Sequence, residues 1–304
     1  MNRGPFHCLV TAVLVAMAAG CAAPRHEIGL DEVLVREIGK APTEASGFRC
    51  TVGAHRGSSV AFRENTLKAL KAAEEDSKYA FVEFDVQYSE DNRIVVFHDT
   101  RLLRLFGSLR AIGNTSFADL SEITGGEVCA YEHAMDVLRK KINIEIKSQG
   151  DDEEDARLAD ELVADIRRRK RTKDVMISSI SGNVIEYISG KYPEIPTGKI
   201  FWLTKSTYLH FDALTESLYE DVEAIEADYL MLHVANLRNI EDLLKFKPKG
   251  TTIVFWDFDD TMYIVHKDHS DRVWGDSGIK SFFQHVRHKL RSPPQDPPEN
   301  RLKW

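Results

Sequence analysis

Short β-branched or aromatic segments alternate with longer amphipathic segments along most of this chain. The short segments, which predict strands, are Thr51–His55, Phe81–Val86, Ile142–Ile146, Val175–Ser179, Gly198–Leu203, Asp228–His233, Thr252–Trp256 and Asp271–Trp274. The longer segments, which predict helices, are Glu64–Glu75, Tyr131–Lys140, Asp152–Lys170, Asn183–Lys191, Phe211–Glu223 and Ile240–Phe246. Strands separated by helices pair in parallel through right-handed crossovers. Eight such strands predict an α/β fold, the closed (β/α)8 or TIM barrel.

One strand-like segment departs from this alternation. Ile94–His98 follows the second predicted strand after only Ser89–Asn92. Such a short connection cannot hold a crossover helix, whereas it suffices for a hairpin. We therefore expect a β-hairpin extension in the loop after strand 2 of the barrel.

Length and composition set the domain boundaries. The chain has 304 residues and is 43% hydrophobic, which suits one barrel of about 250 residues. We assign 49–290 to the barrel, 21–48 to a spacer with one short helix near Asp31–Ile38, and 291–304 to a proline-rich, disordered tail. The formal net charge of −8 argues against a nucleic-acid partner.

Residues 1–20 have the pattern of an export signal. Arg3 precedes an apolar run, Cys8–Ala19, that is too short to span a bilayer comfortably. Ala-Ala-Gly stands directly before Cys21, which resembles a bacterial lipoprotein processing site. We expect an exported protein of the bacterial cell envelope, acylated at Cys21 and anchored to a membrane by that lipid. Ordinary signal cleavage beside an incidental cysteine is the alternative.

Polar side chains gather where the first three predicted strands and the hairpin end. They are His55, Arg56, Glu83, Asp85, His98, Glu145 and Lys147. Residues two apart on a strand project from the same face, so Glu83 pairs with Asp85 and Glu145 with Lys147. Because the carboxyl ends of barrel strands surround one mouth, these groups are expected to converge.

The residue types in this group indicate a particular chemistry. Glu83, Asp85 and Glu145 would repel one another, and hard oxygen ligands of this kind favour one divalent cation, Ca²⁺ or Mg²⁺. The two histidines titrate near neutral pH and suit proton transfer. Arg56 and Lys147 supply fixed positive charge for an anionic group such as phosphate.

Five short motifs follow one another with the order and gaps of a known family. They are Ala54–Gly57, Arg63–Leu67, Val82–Gln87, Val95–Asp99 and Asn143–Lys147. Together they resemble the glycerophosphodiester phosphodiesterase family, over roughly the first hundred residues of the domain. The resemblance implies hydrolysis of a glycerophosphodiester to an alcohol and glycerol 3-phosphate.

The resemblance also implies a role for each residue of the group. It implies metal binding by Glu83, Asp85 and Glu145, acid and base work by His55 and His98, and phosphate contact by Arg56 and Lys147. The chain departs from the family pattern at Trp256–Asp259. We expect Trp256 and Asp257 on the rim of the substrate pocket, where this departure bears on substrate details.

Other interpretations of these motifs remain. A lysophospholipase D-like or sphingomyelinase D-like phosphodiesterase would use a similar barrel, and an anchored, non-catalytic binding lipoprotein would keep the fold alone. The segment Val254–Thr261 resembles the nucleophile motif of haloacid-dehalogenase-type phosphatases, but Asp276 follows Asp257 too closely for the domain needed between them. We interpret Glu64 and Asn65 as a helix N-terminus.

Overall fold

The structure is a computed structural model that describes residues 26–40, 47–201, 212–257 and 259–267. The strands of this part of the chain are β1 (Glu27–Gly29), β2 (Arg49–Ala54), β3 (Phe81–Tyr88), β4 (Ile94–Val96), β5 (Cys129–Ala130), β6 (Lys141–Ile146), β7 (Val175–Ser179), β8 (Thr197–Ile200), β9 (Tyr229–His233), β10 (Thr252–Trp256) and β11 (Thr261–His266). Its helices are α1 (Leu30–Ile38), α2 (Leu67–Glu75), α3 (Leu103–Phe106), α4 (Phe117–Thr124), α5 (Tyr131–Val137), α6 (Asp152–Arg168), α7 (Gly182–Lys191), α8 (Asp212–Ala224) and α9 (Ile240–Lys245). Two short 3₁₀ turns cover Ile112–Asn114 and Val234–Asn239.

Eight strands close into the predicted barrel. Their order around it is β2, β3, β6, β7, β8, β9, β10 and β11, and β11 returns to β2. Neighbours from β2 to β10 pair in parallel, as in the register of Asp85 with Glu145. The TIM-barrel prediction is confirmed.

The eighth strand differs from the prediction. It is β11, which runs antiparallel to both β10 and β2. Only residues 257–260 separate β10 from β11, so the chain turns in a hairpin because no crossover helix fits there. The segment predicted as the eighth strand, Asp271–Trp274, lies outside the described residues, as do the export signal, Cys21 and the proline-rich tail.

Helix α1 covers the outer face of this hairpin. It matches the short helix expected near Asp31–Ile38, but it packs on the barrel, and β1 before it pairs with β2. Leu30 and Leu34 are fully buried in the same core as Tyr263 of β11. Glu37 accepts a hydrogen bond of 2.7 Å from the Tyr263 hydroxyl. A helix from before the barrel thus occupies the outer position that a crossover helix between β10 and β11 would have filled.

The predicted hairpin after the second barrel strand is present. Strand β4 pairs antiparallel with β3, and β5 adds to its far edge. Residues from this extension form a separate small core: Val95, Phe97, Leu102, Ile112, Leu120 and Val128. This core fixes the segment after β4 against the top of the barrel, where His98 lies.

The barrel interior is filled by side chains at every second strand position. Gly53 lies at a narrow point, where an added Cβ would stand 2.1 Å from the Phe81 ring. Phe81, Tyr229 and Val254 belong to this inner core. Above them, the inward positions of β3 and β6 become polar. No helix among the described residues is long and apolar enough to cross a membrane.

Candidate active site

A cleft opens at the carboxyl ends of the barrel strands. Its lining residues are His55, Arg56, Glu83, His98, Asn143, Glu145, Lys147, Ile180, Ile200, Met231, Trp256 and Met262. All the predicted acid, base and phosphate-binding residues are in this group. The predicted metal ligand Asp85 adjoins the cleft from a fully buried position.

Three carboxylates converge at the base of the cleft. Ligand oxygens of Glu83, Asp85 and Glu145 lie within 4.8 Å of one another, and all three residues are buried. Burial, together with the charges of Asp85 and Glu145, holds the pKa of Glu83 well above its ordinary range. Burial likewise raises the pKa of Glu145 to about 7. The cluster therefore favours the uptake of a proton or of a cation.

Basic groups and amides hold these carboxylates in place. The backbone N–H of Arg56 donates to Glu83 Oε2 at 2.7 Å. Lys147 Nζ lies 2.8 Å from Asp85 Oδ1 and also donates to Glu145. Burial alone would raise the pKa of Asp85, but the charges of Lys147, His98 and Arg56 hold it well below its ordinary range.

The carboxylate cluster fits a hard divalent cation. It offers only oxygen donors, and Glu83 Oε1, although buried, has no hydrogen-bond partner among the described residues. A buried carboxylate oxygen without a partner carries a desolvation cost that a bound cation would offset. The donor set would suit either Ca²⁺ or Mg²⁺.

The side chain of His98 is oriented by a carboxylate. Its Nδ1 lies 2.6 Å from Asp99 Oδ1, and Arg104 holds the other Asp99 oxygen at 2.7 Å. Because an ionised carboxylate only accepts hydrogen bonds, the proton belongs to Nδ1 and the Nε2 lone pair of the neutral ring is available. Burial lowers the pKa of His98 below its ordinary value, which favours this neutral form.

The second histidine, His55, is more deeply buried than His98. His55 is buried, and its ring centroid lies 5.9 Å from that of Trp256. Burial and the nearby charge of Arg56 hold the pKa of His55 well below its ordinary value. Its Nδ1 has no hydrogen-bond partner among the described residues. The cleft thus holds two neutral imidazoles near one cluster of carboxylates.

Glu64 and Asn65 do not form the helix N-terminus that we predicted. Helix α2 begins after them, and its cap is Thr66, whose side chain accepts from the Ala69 N–H. Asn65 instead donates to Asp85 Oδ2 at 2.7 Å, from a backbone with a φ of 57°. An asparagine tolerates this left-handed conformation better than most residues, and here it aims the amide at a predicted metal ligand.

An ion-pair network connects the cleft to the hairpin extension. Glu64 Oε1 accepts from Arg56 at 2.9 Å, and Arg104 donates to both Glu64 oxygens. Arg104 also holds Asp99, so one guanidinium positions partners of both Arg56 and His98. Sequence spacing gave no signal for Arg104, because it lies in the extension, 40 positions from Glu64.

Asn143 is a further polar residue that the sequence analysis did not single out. It lines the cleft and is fully buried, yet neither atom of its amide has a hydrogen-bond partner among the described residues. It lies opposite Glu83 in the register of β3 and β6. Its position two residues before Glu145 was a usable signal, since both then face the barrel interior.

The two predicted rim residues lie in different surroundings. Trp256 lines the cleft. The Asp257 carboxylate instead accepts from the Thr261 N–H at 3.0 Å and closes the turn between β10 and β11. Burial raises the pKa of Asp257 to about 7. Asp257 is not among the residues that line the cleft; it directly follows Trp256, and its place on the rim of the substrate pocket stays a prediction.

Comparison with known proteins agrees with this geometry. The model of the Glycerophosphoryl diester phosphodiesterase family matches residues 55–280. A glycerophosphodiester phosphodiesterase from Bacillus subtilis is 23% identical over 71% of this chain and 86% of its own length. A human lysophospholipase D is 25% identical over 71% of this chain and 77% of its own length.

Solved structures give the same result. A glycerophosphodiester phosphodiesterase from Thermotoga maritima superposes with a TM-score of 0.54 and 28% identity, covering 68% of this chain and 85% of that one. The family model spans well over half of the chain, including both histidines and all three carboxylates. This chain is therefore a member of the glycerophosphodiester phosphodiesterase family.

Proposed function

We propose that this enzyme hydrolyses glycerophosphodiesters with the help of one divalent cation, Ca²⁺ or Mg²⁺, held by Glu83, Asp85 and Glu145. The observation that carries the proposal is the convergence of three buried carboxylates within 4.8 Å, with two histidines lining the same cleft. When bound, the cation would stabilise charge on the phosphate and lower the pKa of the glycerol 2-hydroxyl.

The two histidines divide the proton transfers. Nε2 of His98 is free to accept the proton of the 2-hydroxyl as that oxygen attacks phosphorus. The negative charge of a bound phosphodiester would favour a protonated His55 in the substrate complex, although this ring is neutral without substrate. His55 would then donate that proton to the alcohol oxygen as its bond to phosphorus breaks. The cyclic phosphate that remains is opened by water to glycerol 3-phosphate. The hydrogen bond between His98 and Asp99 at 2.6 Å favours this assignment, because it fixes the tautomer of the accepting ring.

Two basic side chains hold the phosphate. Arg56 and Lys147 line the cleft and neighbour the carboxylates, so a phosphodiester that enters would meet two permanent positive charges. Burial strengthens such charges because little water screens them. Arg56 is itself oriented by Glu64, which leaves its direction fixed before substrate arrives.

We propose in addition that the enzyme is exported and anchored to a membrane of the bacterial envelope through an acylated Cys21. The support is the sequence alone: an apolar run that ends in small residues directly before Cys21. Mass spectrometry of the mature N-terminus tests this proposal. A diacylglyceryl group on Cys21 supports it, and an unmodified or absent Cys21 contradicts it.

Lysophospholipase D activity is the second candidate. The apolar side chains of Ile180, Ile200 and Met231 line one side of the cleft, and a relative of comparable identity is named for that activity. A sphingomyelinase D-like reaction would need the same apolar side of the cleft to contact its lipid substrate. A purely binding role is disfavoured, because a protein without catalysis gains nothing from burying three carboxylates that repel one another.

Product analysis distinguishes these activities. The purified enzyme is incubated with glycerophosphocholine, lysophosphatidylcholine or sphingomyelin, and the phosphorus-containing products are identified by ³¹P NMR. We expect glycerol 3-phosphate from glycerophosphocholine. Lysophosphatidate as the dominant product would favour the second candidate, and no product from any substrate would leave the binding role.

A further inference from the structure

Exposed apolar side chains are concentrated beside the cleft. The described residues expose eight large hydrophobic side chains, and four of them lie on two neighbouring segments of the top face. Val60 is 71% and Phe62 43% exposed on the loop after β2, and Leu103 is 51% and Leu109 71% exposed on the hairpin extension. Contiguous exposed apolar side chains on a globular protein mark an interaction surface.

Contacts across the gap join these two segments into one surface. The Arg63 guanidinium lies 4.5 Å from the centre of the Phe106 ring. Arg104 donates to Glu64 Oε2 at 2.8 Å across the same gap. Within the extension, Arg101 donates to the Leu109 carbonyl at 2.8 Å. We name the resulting surface the mouth patch: Val60, Phe62, Leu103, Leu109, Arg101 and Arg110.

The mouth patch carries positive charge on an acidic protein. Residues 100–118 contain three arginines and no acidic residue, although the whole chain has a net charge of −8. Arg104 is neutralised by Glu64 and Asp99. Arg101 and Arg110 are exposed and form no ion pair within the described ranges. Within residues 100–118, the charge that no ion pair compensates is therefore positive.

We propose that the mouth patch docks the open end of the cleft on an anionic lipid surface. Apolar side chains that enter the headgroup region, beside arginines that reach lipid phosphates, form the usual interfacial arrangement. The patch borders the active site through Arg104 and Asp99, which holds His98. Docking would therefore present the cleft directly to a substrate that leaves a bilayer. The inference rests on the proposed function, since docking on lipid is useful only if the enzyme hydrolyses a phosphodiester of lipid origin.

Three double variants test the surface. Leu103→Ser/Leu109→Ser removes its apolar contact, and Arg101→Gln/Arg110→Gln removes its charge. The matched control is Val35→Ser/Leu214→Ser, which removes exposed apolar side chains from α1 and α8 on the outer ring of helices. All are full-length chains that carry Cys21→Ser, so acylation contributes to none of them.

Binding is measured by sedimentation with phosphatidylcholine vesicles, with and without phosphatidylglycerol. We expect the leucine variant to bind both kinds of vesicle about tenfold more weakly than the parent. The arginine variant is expected to lose about thirtyfold in affinity for the anionic vesicles alone, at about one factor of five per arginine. The control should bind as the parent does.

Hydrolysis of water-soluble glycerophosphocholine separates this inference from the proposed function. All variants should keep the parent's rate on that substrate, because none of the substituted residues lines the cleft. A parent without any turnover would overturn the proposed function even if vesicle binding followed the mouth patch. Equal vesicle binding by all variants, or loss of a dimer instead of vesicle binding in the leucine variant, would overturn the docking surface.

Discussion

Replacing Glu83 by glutamine is expected to stabilise the metal-free enzyme while removing its response to metal. The ligand oxygens of Glu83, Asp85 and Glu145 lie within 4.8 Å of one another. Two ionised carboxylates at that distance would repel by about 3 kcal/mol at an effective dielectric constant near 20. The raised pKa of Glu83 means that the metal-free protein escapes this repulsion by binding a proton there, which costs stability at neutral pH because the unfolded chain would release that proton. Glutamine has almost the same shape and can still accept the Arg56 N–H bond of 2.7 Å. The substitution thus removes this electrostatic cost without opening a cavity.

The expected increase in the free energy of unfolding is smaller than the full repulsion energy. Arg56 and Lys147 attract the carboxylates and offset part of it. We expect Glu83→Gln to raise the free energy of unfolding in EDTA by about 2 kcal/mol, or the Tm by about 4 to 8 °C for a domain of this size. Saturating Ca²⁺ should stabilise the parent by about 3 kcal/mol at a hundredfold excess over Kd and leave the variant almost unchanged.

Thermal unfolding by circular dichroism, in EDTA and in Ca²⁺ or Mg²⁺, measures both effects. The order of the two Tm values should reverse between the conditions, with the variant higher in EDTA and the parent higher with metal. Glu216→Gln, on the exposed face of α8, is the control. It should change neither the Tm in EDTA nor the rise in Tm that metal causes. A variant that is less stable in EDTA, or that gains as much from metal as the parent, would refute the repulsion argument.

Three further predictions concern other residues of the site. His98→Ala should lower kcat by roughly a hundredfold or more with little loss of stability. Wild-type turnover of this variant on glycerophosphocholine would mean that His98 only packs in the cleft and transfers no proton. Asn143→Leu should raise the free energy of unfolding by about 1 to 2 kcal/mol and lower activity. The reason is that a buried amide, which has no hydrogen-bond partner in the described part of the chain, is replaced by an apolar group of similar volume. A destabilised variant would show that the amide has a partner. Asp257→Asn should keep turnover and should be more stable than the parent by about 2 kcal/mol above pH 7. The Asp257 carboxylate has a folded pKa of about 7, so the parent loses stability as the pH rises from about 4 to 7. A flat difference between pH 4 and pH 8, measured by denaturant unfolding, would contradict that assignment.

Much of the site followed from the periodicity of the strands. Glu83 and Asp85 are two apart on one strand, and parallel pairing brings Asp85 into register with Glu145. The hairpin after the second strand followed from a connection too short for a helix, and it delivers His98. These inferences needed only local spacing and the rule that barrel strands end at one mouth.

The remaining parts depended on contacts between distant segments. Arg104 reaches Glu64 only because the hairpin extension folds back over the mouth, and no periodicity encodes that return. The sequence predicts helix α1 as part of a spacer, because nothing in it shows that the barrel lacks a helix beside β11. The strand-like run Thr261–His266 is not among the predicted strands, because it follows β10 too closely for the alternation that predicts the others.

The dependence of hydrolysis on a divalent cation tests the central claim most directly. The purified enzyme is stripped with chelator, its metal content is verified by mass spectrometry, and release of glycerol 3-phosphate from glycerophosphocholine is followed as Ca²⁺ or Mg²⁺ is added back. We expect no turnover without metal and full recovery as one ion binds per chain at the carboxylates of Glu83, Asp85 and Glu145. Full turnover by the verified metal-free enzyme would contradict the proposed mechanism.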